Sequence, residues 1–489
     1  MEPQVTKSKV VNSLWWKMLE RIFSQGVNLI VQIVLARLLL PSDFGSLAII
    51  VAITNYAAIF VQSGLGTAII QKKNLENRDV ATLLTASLSI ALLFYIALFF
   101  SASWIASFYD SPSLIWPLRV QALVLFLNAI NSIQTALLSR SMSFKTLFWR
   151  SVIAVPVAGT VGIIMAYNGF GLWALVAHNL TNMLVVVLVM TIGAKMPLKV
   201  GFNWNSAKQL YSFSGKILLT SLVSGSGDTI RTMVIGKKYS RADLSYYDKA
   251  YTYSSYVTLI VVGTIQSVML PVLSRSQDNI ETLKQMARRS IGTTAFVMFP
   301  VLFWVAAASQ SLVLLLLTEK WAPCIPFLML FCVLRMCGCI SSVDKQVYYA
   351  IGRSEIGLYY EFFFLLANII VLLFTVRLGI KYIAIGYLIT EYLGTFSLFI
   401  VSSKIYGYKI KERIKDLLRP TINSFIMFLV CWSVNLLHYN NLMTMTIQLI
   451  LGLLVYWGLS KITRDNNLPY LKETVLSTIG KNKNNINNN

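Results

Sequence analysis

The chain reads as long apolar runs separated by short polar connections. An apolar helix of about 20 residues crosses a bilayer, so uncharged runs translate directly into spans. Runs 44–71, 80–109, 120–139, 250–274 and 290–318 each hold one crossing. The run 151–194 is long enough for two and breaks at Tyr167-Asn168-Gly169-Phe170-Gly171, whose composition suits a tight reversal. The run 420–460 breaks likewise at His438-Tyr439-Asn440-Asn441. Five more apolar segments carry internal charges, at about 13–38, 211–235, 321–342, 355–377 and 380–403. The pattern therefore predicts an all-α integral membrane protein with 14 transmembrane helices and short loops.

Composition agrees with that class. Of 489 residues 56% are hydrophobic and only 13% charged, against roughly 25% charged in an average soluble protein. Met1 to Asn12 is short and polar without a small-residue cleavage site, so the first apolar segment is expected to remain as a membrane helix. The Asn-rich stretch from Lys481 to Asn489 is expected to be disordered. Cys324, Cys332, Cys337 and Cys339 lie in one apolar stretch and Cys431 in another, which reads as buried thiols rather than a disulfide framework. No His lies near them, so no metal site is expected.

The net charge of +22 changes the picture through its distribution. With the N-terminus taken as cytoplasmic, the inner segments collect 29 Lys and Arg and the outer loops eight. That bias places both termini in the cytoplasm. A basic inner face resting on anionic head groups explains the charge without a nucleic-acid partner.

An offset of 200 residues sets Arg37 against Lys237, Asp43 against Asp243, Ser24 against Ser224 and Asn28 against Asp228. Slightly larger offsets align Gln62-Ser63 with Gln266-Ser267, Ser141 with Arg353 and Gly169-Phe170 with Gly379-Ile380. The order of these matches predicts two six-helix bundles, 1–200 and 201–410, a helix pair over 411–465, and a partly disordered cytoplasmic tail over 466–489. Six helices per half make the repeat parallel, an architecture of alternating-access transporters.

Polar stripes mark the candidate chemistry. Lys17, Glu20, Arg21, Ser24, Gln25, Asn28 and Gln32 occupy one face of the first helix. Lys216, Thr220, Ser221, Ser224, Asp228 and Arg231 do so in the segment 211–235, and Asn128, Asn131, Thr135 and Ser139 line 120–139. Arg335, Glu361 and Glu391 are charges inside other apolar segments. A central intramembrane charge costs at least about 2.5–3.5 kcal/mol on insertion scales, so such residues line a cavity or pair together. Asp228 and Arg231, three apart, also read as a self-neutralising pair, and Lys17 and Lys216 as side chains snorkelling to the interface. A cavity lined by Lys17, Arg21, Lys216, Arg231 and Arg335 is net cationic and suits a phosphate-bearing substrate. Glu20, Asp228, Glu361 and Glu391 are the buried carboxylates available for ion coupling. Ser224-Gly225-Ser226-Gly227 lacks the lysine of a phosphate loop and reads as a site of close helix packing or bending. No catalytic triad, carboxylate pair or metal-ligand spacing is present; His178 reads as a packing residue and His438 as a loop residue.

The segment from Phe23-Ser24-Gln25-Gly26 through Leu35-Ala36-Arg37-Leu38-Leu39-Leu40-Pro41-Ser42-Asp43-Phe44-Gly45 resembles the Wzx-type polysaccharide flippases of the multidrug/oligosaccharidyl-lipid/polysaccharide exporter superfamily. Gln62-Ser63-Gly64-Leu65-Gly66 with Ala68-Ile69-Ile70-Gln71 is similar to its colanic-acid-exporter branch. The resemblance implies translocation of an undecaprenyl-diphosphate-linked oligosaccharide across the bacterial cytoplasmic membrane, with H⁺ or Na⁺ as coupling ion and no other cofactor. It also implies a polysaccharide polymerase and a chain-length regulator as partners. A MATE-like multidrug or cation antiporter is the alternative, and a membrane polymerase or ligase is a further one. The longest expected outer loop, about 236–249, is short for an active site.

Overall fold

The computed structural model describes residues 7–62, 66, 69, 70, 72, 75–193, 200–274, 279–465 and 467–469. The described residues are helical with no strand. The helices are α1 (Lys7–Leu38), α2 (Pro41–Gln62), α3 (Asn77–Phe108), α4 (Ile115–Gln121), α5 (Val124–Arg140), α6 (Phe144–Tyr167), α7 (Leu172–Gly193) and α8 (Trp204–Lys238). They continue as α9 (Arg241–Ser274), α10 (Ile280–Ala307), α11 (Ser309–Leu317), α12 (Ile325–Ala350), α13 (Ser354–Thr375), α14 (Ile380–Ile405), α15 (Ile410–Ser433) and α16 (Asn441–Ile462).

Twelve helical segments among the described residues are long and apolar enough to cross a membrane. The protein is a multi-pass membrane protein. The crossings expected at 211–235 and 250–274 fall in α8 and α9, 35 and 34 residues long, parts of whose side chains lie outside the described residues. Most of the 62–71 motif and all but 467–469 of the 466–489 tail lie outside them as well.

Several helices outrun the apolar runs that predicted them. At 1.5 Å per residue, a 35-residue helix is roughly 52 Å long, while the hydrocarbon layer is about 30 Å thick. The excess is polar helix beyond the lipid. The reversals fall where turn residues stand. Gly169 and Gly171 take φ of +79° and +52° between α6 and α7, and Asn440 caps α16 by accepting from the Met443 amide at 2.8 Å.

The chain forms two compact units. The first comprises Met1–Asp248 with Leu365–Ile380, and the second Lys249–Phe364 with Lys381–Asn489. In the first, α6 packs along α7 and α1, and α2 packs on α8. Alanines dominate one core cluster there, with Ala57, Ala58, Ala91, Ala122 and Ala129 around Leu98 and Leu125. Small residues let backbones approach where packing, not water exclusion, holds helices together. In the second unit α10 packs against α12 and α15. Large apolar side chains such as Phe100, Trp104, Phe363 and Leu453 point outward, more than 60% exposed, as a lipid-facing surface requires.

Two helical corners of the first unit are built alike. Leu39 and Leu40 alone connect α1 to α2, and Tyr239 and Ser240 alone connect α8 to α9. The Leu39 amide donates to the Leu35 carbonyl at 2.9 Å, and the Tyr239 amide to the Ile235 carbonyl at the same distance. Asp43 accepts from the Leu40 amide at 3.2 Å; Asp243 accepts from the Ser240 hydroxyl at 2.7 Å. The corners also touch: a Cβ on Gly45 would lie 1.8 Å from the Arg241 carbonyl oxygen. The Pro41-Ser42-Asp43-Phe44-Gly45 motif is therefore a helix start, a cap and a close approach, and its residues act through shape.

Candidate functional site: charge inside the helices

In the first unit the stripe on α1 meets α6. The Glu20 carboxylate accepts from the Ser151 hydroxyl at 3.0 Å. One residue earlier, Arg150 donates through Nη1 to Asn131 Oδ1 at 3.1 Å and to Thr135 Oγ1 at 3.0 Å, both on α5. Glu20 is within electrostatic reach of Arg150, yet among the described residues no carboxylate is in ion-pair contact with it, and its Nε has no hydrogen-bond partner. Arg21 is half-buried, whereas Lys17 is exposed with Nζ 5.5 Å from the Phe144 ring. Sequence counting assigned Arg150 to the basic rim; the polar positions of α5, four apart and turned toward α6, draw it inward instead.

On α8, Arg231 is 92% buried along its side chain and donates to Asp228 Oδ1 at 2.9 Å, while the Asp228 side chain is 56% exposed. The self-neutralising pair is thus present and open on its acidic side. Lys216 belongs to α8, but its side chain lies outside the described residues. The serine-glycine run performs the packing expected of it: a Cβ on Gly225 would lie 2.7 Å from Ile59 Cδ1, and the Ser226 and Tyr56 hydroxyls are 3.1 Å apart.

In the second unit Arg335 of α12 lies over the Tyr251 ring, 4.1 Å from its centroid. Its Nη2 donates to the Tyr251 carbonyl at 3.0 Å and to Ser255 Oγ at 2.9 Å, and its Nε to Ser254 Oγ at 3.3 Å. These partners are all neutral. Among the described residues, no carboxylate is in ion-pair contact with Arg335. Glu361 accepts from Lys345 Nζ at 2.6 Å, and Lys345 also faces the Tyr360 ring. Glu391 is half-buried, within electrostatic reach of Cys337 and Tyr360.

A further pair was not singled out by sequence. Asp344 of α12 and Arg413 of α15 are both 0% exposed and meet through two contacts, 2.6 and 2.7 Å. Arg413 also receives the Phe399 and Tyr408 ring faces. Asp344 accepts from Tyr406 Oη at 2.5 Å and Ser402 Oγ at 3.0 Å. Burial, with the Asp344 charge beside it, pushes the Tyr406 hydroxyl well above the usual tyrosine range, so it stays protonated and donates. Next to this lies a second network, in which Arg288 holds Asp416 bidentately at 2.9 Å and Lys284 reaches Glu412 at 3.2 Å. Tyr408 Oη donates to Asp416 at 2.7 Å, and burial together with that bond raises its pKa.

The five cysteines are free and buried, and among the described residues no cluster of His, Cys, Asp and Glu is arranged to hold a metal ion. Two arginines in membrane-spanning helices, Arg150 and Arg335, are thus hydrogen-bonded to neutral partners, and the other internal charges named above whose side chains are described are paired or partly exposed. Such guanidinium groups suit a phosphate-bearing ligand.

The chain is 24% identical over 329 residues to the succinoglycan biosynthesis transport protein ExoT of Rhizobium meliloti, covering 67% of this chain and 66% of that one. It is 21% identical over 439 residues to the lipopolysaccharide biosynthesis protein WzxC of Escherichia coli, covering 88% of each. Its fold matches that of the lipid II flippase MurJ in an inward closed conformation with a TM-score of 0.73 at 17% identity, covering 91% of this chain and 98% of MurJ. The helical corner at Pro41 to Gly45 and Arg150 fall within residues 34–326, more than half of the chain, which match the family model described as polysaccharide biosynthesis protein; Arg335 lies just beyond the match. The chain belongs to the polysaccharide biosynthesis protein family.

Proposed function

We propose that this protein is a flippase: it moves an undecaprenyl-diphosphate-linked oligosaccharide from the inner to the outer leaflet of the bacterial cytoplasmic membrane by alternating access. It catalyses no chemical step in this reading. The observation that carries the reading is the pair of intramembrane arginines, Arg150 and Arg335, which hydrogen-bond to neutral groups and, among the described residues, are in ion-pair contact with no carboxylate. An intramembrane cation without a carboxylate is costly, and a diphosphate arriving from the inner leaflet supplies the missing charge. The names of ExoT, WzxC and MurJ, which refer to polysaccharide transport, lipopolysaccharide biosynthesis and lipid II flipping, support the same substrate class. A drug antiporter is the weaker reading, because a cationic drug would meet arginine rather than an open acidic pocket.

Both termini lie in the cytoplasm in this reading, on the side where the basic residues gather. The similar corners at Leu38–Pro41 and Lys238–Arg241 support a chain built from two parallel six-helix repeats, 1–200 and 201–410, making fourteen crossings with the pair over 411–465. A polysaccharide polymerase and a chain-length regulator are its downstream partners. Glu361 and Asp228, each tied to one cation, and Glu20 and Glu391 are the carboxylates through which an H⁺ or Na⁺ gradient acts.

The test is flipping of a fluorescent undecaprenyl-diphosphate oligosaccharide in proteoliposomes. Arg150→Ala and Arg335→Ala are each expected to lower the rate at least about tenfold, since a charge-assisted contact is worth about 1.5–3 kcal/mol. Wild-type rates in both variants would remove the arginines from the transport path. A rate indifferent to both ion gradients would remove the carboxylates.

A further inference from the structure

The second unit contains a cleft lined by none of the residues assigned above to substrate or ion coupling. It encloses about 450 Å³ where α10, α15 and the segment after α16 converge, and Arg288, Arg289, Lys415 and Arg419 line it together with Asp416 and Asp465. Lys415 and Arg419 stand four apart on one face of α15, opposite Arg288 and Arg289 of α10. Arg288 is engaged by Asp416 through two 2.9 Å contacts. Arg419 donates one hydrogen bond, to the Arg464 carbonyl at 3.1 Å, and Lys415 and Arg289 are exposed.

The cleft is not uniformly cationic. Asp465 is 3% exposed, and its Oδ1 accepts from the amide and the side-chain nitrogen of Asn467, each at 2.9 Å. Its Oδ2 is buried and has no hydrogen-bond partner among the described residues. Gly292 makes room for this turn, since a Cβ there would lie 3.2 Å from Asn467 Oδ1. An unsatisfied carboxylate oxygen is costly, and a second anion beside it would raise that cost. A ligand carrying both a phosphate and an ammonium resolves both demands. Next to the basic face, Ile414, Leu418 and Ile422 form an outward stripe along α15, 52%, 50% and 46% exposed.

We propose that this cleft binds the headgroup of a zwitterionic aminophospholipid. The phosphate sits among Arg289, Lys415 and Arg419, the ammonium donates to Asp465, and an acyl chain follows the Ile414 to Ile422 stripe. Basic pockets between membrane helices are suited to lipid headgroups. Phosphatidylglycerol and free phosphate offer the anion alone and leave Asp465 unsatisfied.

The experiment uses the full-length protein, delipidated in detergent and supplied with phosphatidylethanolamine, phosphatidylglycerol, phosphoethanolamine or inorganic phosphate, with retention read by native mass spectrometry. Phosphatidylethanolamine is expected to be retained best. Asp465→Asn, which keeps the Oδ1 acceptor, is expected to weaken it roughly tenfold and to leave phosphatidylglycerol as well retained or better, because the repelling carboxylate is gone. Lys415→Gln, an exposed change that leaves the packing intact, is expected to weaken both lipids. Equal retention of the two lipids by wild type, or no effect of Lys415→Gln on either, overturns the proposal. Displacement of the lipid at equal concentration overturns it too: by phosphate, because the site then recognises an anion alone, and by phosphoethanolamine, because the acyl chain then adds nothing and the site is not a lipid site.

Discussion

The two units solve the same problem, holding helices together inside lipid, by different means. The first relies on close approach. Cβ atoms added at Gly45, Gly159 and Gly225 would come within 1.8, 2.5 and 2.7 Å of Arg241, Val31 and Ile59. Its Asp228–Arg231 pair stays open on one side, with Asp228 56% exposed. The second unit instead closes an ion pair completely between Asp344 and Arg413 and surrounds it with Tyr348, Ser402 and Tyr406 hydroxyls. A closed pair excludes a ligand, so it holds structure; an open or unmatched charge is available to one. That distinction separates Arg413 from Arg335, which lie in the same unit and carry the same charge.

The closed pair gives the largest expected effect. Asp344→Asn leaves Arg413 buried without its counter-charge, and breaking a buried pair costs about 3–5 kcal/mol. Thermal unfolding in detergent should show a loss of that order, with the protein depleted from membranes. Adding Arg413→Gln should recover part of it, because two neutral groups are cheaper to bury than one charge. A double variant as unstable as the sum of the two single ones would mean that the residues do not act as a pair.

The first unit should break on volume instead. Gly45→Ala places a methyl against the Arg241 carbonyl and forces the two corners apart, and overpacking of this kind costs about 1–3 kcal/mol. The same measurement applied to Gly458, whose Cβ would meet nothing within 4 Å, should show little change or a gain in stability. Equal effects at the two glycines would remove close approach as the organising contact of the first unit.

Much of this architecture was legible in the sequence, because helices in lipid leave long apolar runs and their reversals need residues such as Gly169, Gly171 and Asn440. Helix ends were less legible, since polar helix continues past the lipid, as in α8. Among charges, separation along the chain decided the matter. Asp228 and Arg231 are three apart and could be paired by helical geometry alone. Asp344 and Arg413 are 69 apart, and Arg413 looked like one more basic residue of the inner rim. Arg150 was hidden by the same counting, although the Asn131 and Thr135 stripe that receives it had been visible. The Pro41 to Gly45 motif was readable as a signature but not as a corner, because its contact partner, Arg241, lies 196 residues further along.

The smallest effect belongs to Lys237 and Asp110, a 2.8 Å pair in the first unit with side chains 40% and 81% exposed. Water solvates either charge when the other is lost, so Lys237→Gln should cost no more than about 0.5 kcal/mol and less at high salt. Lys237 also faces the Phe108 ring at 5.1 Å, a contact that glutamine keeps only through its carbon chain. A loss near that of Asp344→Asn would show that exposure does not set the worth of an ion pair in this protein. The contrast between open and closed charge, and with it the argument for Arg150 and Arg335 as substrate contacts, would then fail.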